Sequence, residues 1–145
     1  MLLTGSGAAS ATTFCVPDFS AVCPNSNGNI KSANLETAMG LDSIDGVTDT
    51  IYMGAYTYTD ADSLTPADFG TDDLKIIGSG TDKSFITSSS TNNGYVMNMK
   101  SRKLDMSGVT IVIPSTFPDS GGNGAGLQAD DGTFDHVDIK SLNKD

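Results

Sequence analysis

Short runs of alternating apolar and polar residues, each cut off by glycine, proline, asparagine or aspartate, recur along most of this chain. Bounded alternation of this kind predicts strands that bury one side. They are expected at Thr12 to Val16, Thr50 to Met53, Leu74 to Ile77, Ser84 to Thr87 and Tyr95 to Met99. Further strands are expected at Leu104 to Met106, Val109 to Ile113, Gly126 to Ala129 and Phe134 to Ile139. The expected inward side chains are Ile51, Met53, Leu74, Ile76, Phe85, Val96, Leu104, Met106, Val109, Ile111, Ile113, Val137 and Ile139. One helix is expected, from Ser32 to about Ile44, capped by Asn34, with Leu35, Ala38 and Met39 on one face. Gly40 shortens it. Pro24 to Asn29 reads as loop.

The clearest rhythm runs from Asp49 to Ser88. There D-T-I-Y-M-G and L-K-I-I-G each end a short strand in glycine, and S-F-I-T-S follows a polar turn. Leu74-Lys75-Ile76-Ile77, Leu104-Asp105-Met106 and Phe134-Asp135-His136-Val137 begin similar units thirty positions apart, a loose repeat. The pattern predicts an all-β chain laid down as a parallel β-solenoid, with the helix as a lid on its first rung. A β-sandwich with irregular loops is the alternative. Abundant glycine, serine, threonine, asparagine and aspartate agree with strands and turns, because these residues free the backbone or bond to it locally.

The formal net charge of -10 argues against binding to nucleic acid or an anionic lipid surface, which needs a basic face. Glu36 is the only glutamate, so the acidity is almost all aspartate, a turn residue. No stretch approaches the ~20 apolar residues of a transmembrane helix. Ala9-Ser10-Ala11 has the small-x-small form of a signal-peptidase site, and residues 1–11 read as the remnant of a signal peptide lacking its basic start, with a disordered polar leader as the alternative. Cys15 and Cys23 are the only cysteines. A disulfide between them would close a short loop worth roughly 2.5 kcal/mol, and two buried thiols are the alternative. A zinc site is excluded, since His136 is the only histidine. Together these readings point to an extracellular protein.

T-T-F-C-V with a second cysteine, the L-E-T-A-M helix, D-T-I-Y-M-G-A-Y-T and L-K-I-I-G-S-G resemble secreted right-handed parallel β-helix proteins of the pectate-lyase-like superfamily. The glycine run Gly121 to Gly126, then Asp131-Gly132 and Phe134 to Ile139, resembles later coils of that fold. The resemblance implies a right-handed β-helix: residues 12–48 an N-terminal cap, and residues 49–145 the first coils of a longer stack. It also implies contact with polysaccharide or a cell-surface glycan. The opening pattern resembles pectin methylesterases too, but their glutamines, paired aspartates and arginine lie in later coils. Pectate lyases need a calcium-binding aspartate cluster and a basic proton abstractor. Here Arg102 and scattered lysines are the only basic residues, and nothing in the sequence sets them beside such a cluster.

Candidate chemistry is sparse. Asp130, Asp131, Asp135 and Asp138 could supply oxygen ligands to calcium, and a solvated turn followed by outward strand positions is the simpler reading. The calcium-binding nonapeptide is rejected, because Gly126 stands where its aspartate should be. Tyr52, Tyr56 and Tyr58 alternate around Gly54 and could stack on sugar rings, though alternation describes strand packing equally well. Asp60, Asp62, Asp68, Asp72 and Asp73 fall in a polar insertion with Pro66 and Gly70, where fixed carboxylate separation is not expected. On an alternating strand His136 would share its face with Asp138 and not with Asp135, and no nucleophile elbow accompanies it. No catalytic set is assigned. The expected function is structural or recognitive at the cell exterior. The alternatives are a fragment of a lyase or esterase without its catalytic coils, and a small calcium-stabilised β-domain. The last strand has no successor to cover it in this sequence, so self-association through the final rung is expected.

Overall fold

The computed structural model describes residues 10–26, 28–41, 46–61, 64, 73–89, 95–115 and 126–142. Residues 1–9 of the expected leader lie outside the described residues, as do most of the 121–126 glycine run and Asp62, Asp68 and Asp72.

Alternation sets the strands. In β3, Asp49–Met53, every second residue is buried: Asp49, Ile51 and Met53. The same beat governs β5, Leu74–Gly78, where Leu74 and Ile76 go inward and Lys75 stays out. Before them come β1, Thr13–Val16, and the short β2, Ile30–Lys31. After β3 comes β4, Tyr56–Asp60, and after β5 comes β6, Ser84–Ser88. The chain then runs through β7, Met97–Ile113, followed by β8, Leu127–Asp131, and β9, Phe134–Ser141.

Every named strand pairing is parallel, which the two antiparallel sheets of a sandwich would not give. The registers define three ladders. In the first, Phe14, Ile51, Ile76, Met106 and Phe134 stand in one column. The second aligns Tyr58, Ile86, Ile111 and Ile139. The third aligns Leu64, Met97 and Leu127. The chain visits first, second and third ladders in the same cyclic order, a path compatible with a β-helix-like solenoid. These columns are the core: Phe14, Ile51, Ile76, Ile86, Met97 and Ile111 are fully buried. Each such side chain contributes about 1.5–3 kcal/mol relative to exposure.

The helix is shorter than expected. α1 spans Leu35–Gly40, and Ser32 and Ala33 lie before its cap rather than within it. The Asn34 side chain caps it by accepting the Thr37 N–H at 2.7 Å, and Leu35, Ala38 and Met39 are buried as the periodicity requires. Three further differences follow from the coiling. The strands expected at 95–99, 104–106 and 109–113 form one element, because β7 continues through two corners and serves all three ladders. The inward aromatic expected at Phe85 faces out, and Ile86 is buried with Ser84 and Ser88. The Ser84 hydroxyl donates to the Gly54 carbonyl at 2.8 Å and so caps a corner from inside. Finally, β4 was hidden in the sequence by its threonines and tyrosines, and Leu64 supplies an apolar rung from within the polar insertion.

The repeat is not uniform. Leu74 stands opposite Leu104 as the thirty-residue spacing requires, but Phe134 stands opposite Met106 rather than Leu104. A two-residue slip keeps each side chain on its own face. Gly132 makes it possible: a Cβ there would meet the Leu104 carbonyl oxygen at 2.0 Å.

Candidate functional site

The outer surface of the first ladder is the most built part of the exterior. Because the ladder is parallel and in register, outward side chains form columns as regular as the inward ones. One column aligns Thr50, Lys75 and Asp105, with Thr133 donating its N–H to Asp105 Oδ1 at 2.9 Å. The neighbouring column aligns Cys15, Tyr52, Ile77, Ser107 and Asp135. Two adjoining hollows open here. One of about 280 Å³ is lined by Lys75, Asp105, Ser107, Thr133 and Asp135 among others. The second, about 440 Å³, lies round the corner and is lined by Ser79, Asp82, Asp135 and His136 among others.

Burial opposes ionisation of Asp105, but the Thr133 N–H and the Lys103 ammonium outweigh it and hold its carboxyl below the ordinary carboxylate range. That carboxylate is committed to accepting hydrogen bonds. His136 sits in the left-handed region at φ 50, in the corner that stacks beside Gly108, itself at φ 63. The left-handed turn breaks strand alternation. His136 therefore meets Asp135, with Nδ1 to Oδ1 at 2.7 Å, and both side chains are largely exposed. The expectation that Asp138 would share its face does not hold, for that reason. Asp138 lies near Lys140 instead.

The three tyrosines separate. Tyr52 is half-buried on the outer column. Tyr56 and Tyr58 turn toward the interior, their rings 6.4 Å apart and tilted at 56°. Tyr58 is 4% exposed. Its hydroxyl lies 3.1 Å from Asp60 Oδ2 and 3.3 Å from Glu36 Oε2 on α1, and its single proton can go to one of them at a time. Burial first, then the Asp60 and Glu36 charges, push its pKa well above the ordinary phenol value.

The four aspartates expected for calcium are spread over two strands. Asp130 and Asp131 end β8, and Asp131 accepts the Gly132 N–H at 2.8 Å. Asp135 and Asp138 lie on β9, engaged with His136 and Lys140. Among the described residues no group of three or more His, Cys, Asp or Glu side chains is placed to hold a metal ion. Cys15 and Cys23 do form a disulfide, with Cα atoms 5.7 Å apart, and both are buried. Asp60 is buried beside Tyr58, whereas Asp73 accepts the Lys103 N–H at 3.3 Å. Arg102 is buried, at 6% exposed. No helix of the described residues is long and apolar enough to cross a membrane.

The Lys75–Asp105 column was within reach of the sequence, since both residues follow the leading leucine of a repeat unit. Asp135 would have joined that column at a strict thirty-residue spacing. The slip at Gly132 moves it to the Ser107 column instead. No protein-family model matches this chain, and no curated protein or solved structure matches it.

Proposed function

We propose that this chain forms a capped right-handed parallel β-helix that serves at the cell exterior as a structural and recognition module. Its ligand class is polysaccharide, held along the outer face of the first ladder. The observation that carries this reading is the pair of outer columns: Tyr52 shares one with Ile77, Ser107 and Asp135, and Lys75 and Asp105 stand in the column beside it. Sugar polymers offer repeated hydroxyls and apolar ring faces, and columns whose residues recur one strand spacing apart, about 4.8 Å, offer repeated hydrogen-bonding groups beside an aromatic face. The disulfide suits an oxidising exterior, and the resemblance to secreted β-helix proteins supports the handedness and the ligand class.

Affinity electrophoresis through gels carrying neutral or acidic polysaccharides tests this directly. At least one polymer should retard the protein, and Tyr52→Ala and Lys75→Ala should each weaken retention about tenfold, the effect of losing ~1.4 kcal/mol. Migration unaffected by every polymer would refute the reading.

A further inference from the structure

Among the described residues β9 is the last rung, and one of its sides is open. Phe134 is 44% exposed, Ile139 55% and Leu142 59%, three of the six large apolar residues exposed among the described residues. Among those residues β9 pairs only with β7, so no strand lies along its other edge. An open edge with apolar side chains is a template for another strand. The polar residues of β9 indicate which strand fits. Asp138 and Lys140 flank Ile139 on the straight part of the strand after the His136 corner, and their charged groups are 3.8 Å apart and half-exposed.

We propose that this edge is an interface with a second copy of the chain, formed by antiparallel pairing of β9 with β9 about a twofold axis through Ile139. In antiparallel pairing, residues equidistant from the axis stand opposite one another. Asp138 of each copy then faces Lys140 of the other, Val137 faces Ser141, and the two Ile139 side chains meet on the axis. The strand is self-complementary in charge and in apolar position, as an isologous interface requires. Ile139 already points into the stack: a Cβ on Gly126 would meet its methyl carbon at 3.0 Å. Pairing therefore joins two cores end to end. The proposal is independent of any glycan on the first ladder, which lies on the outer wall rather than on this edge.

Sedimentation equilibrium of the full 145-residue chain, with its disulfide intact, tests it. The wild type should form a dimer. Asp138→Lys and Lys140→Asp should each raise the dissociation constant by about tenfold or more, because two attractive cross-strand pairs become repulsive. Mixing the two variants restores opposite charges at every pair and should recover a heterodimer of wild-type affinity. That mixture also guards against misfolding, since a variant that failed to fold could not be rescued by a partner. A monomeric wild type would overturn the proposal and leave the edge to a different protein or to further coils. Open-ended polymers would overturn the closed twofold arrangement, and a dimer indifferent to both variants would place the contact elsewhere.

Discussion

The two ends of the ladders carry the same kind of residue and treat it in opposite ways. At the N-terminal end Phe14 is 1% exposed and Tyr58 4%. At the other end of those same columns Phe134 is 44% exposed and Ile139 55%. The difference is what lies beyond. The first rung is covered by β2, by α1 with its buried Leu35, Ala38 and Met39, and by the loop that the disulfide ties back to β1. Nothing among the described residues plays that part for β9. Inward orientation is thus a property of the strand, whereas burial is a property of the neighbouring rung.

That contrast can be broken most severely at the lid. Leu35→Ala or Met39→Ala should cost about 2–5 kcal/mol in denaturant unfolding, because each leaves a cavity in a closed site. Ile139→Ala, in protein dilute enough to be monomeric, should stay within about 0.5 kcal/mol. Equal losses at the two ends would abolish the distinction. Next in size is the disulfide. Replacing Cys15 and Cys23 by serine should lower stability by roughly 2.5 kcal/mol, read as a shifted unfolding midpoint.

A smaller effect joins the lid to the stack through Tyr58. Tyr58→Phe removes the hydroxyl from Asp60 and Glu36 and should cost about 0.5–1.5 kcal/mol. The pH dependence has a defined sign. The folded phenol resists ionisation more than the unfolded one, so its stabilisation is complete below pH ~10 and declines as pH rises above it. Melting temperatures taken through that range should fall for the wild type and fall less for the phenylalanine variant. At the open end, His136→Gly should stabilise by up to about 1 kcal/mol, since glycine accepts φ 50 without Cβ strain. A loss there would mean that the contact with Asp135 outweighs the backbone term.

Much of the architecture was legible. Period-two alternation located β1, β3, β5, β6 and β9 to within a residue or two, and Asn34 with Leu35, Ala38 and Met39 placed the helix and its buried face. What misled was local. Phe85 outranks Ile86 in size, yet the register with Tyr58 and Ile111 sends Ile86 inward. β4 carries tyrosine, threonine and aspartate, whose alternation suited strand packing without marking out a strand of its own. The outer columns were barely legible, because a column is made by residues about thirty positions apart and one slip of register rearranges it.

The sequence by itself determined the strand type, the glycine-bounded corners, the capping helix and the cysteine pair, because each depends on neighbouring residues and on the short-range sterics of the backbone. Only the tertiary structure decided which rungs stand opposite one another. Register depends on how closely two backbones approach, as at Gly78, where a Cβ would meet the Gly108 carbonyl oxygen at 2.1 Å, and at Gly132. From that choice follow the placement of Asp135 beside Ser107, the separation of Tyr52 from Tyr56 and Tyr58, and the exposure of β9 at the end of the stack.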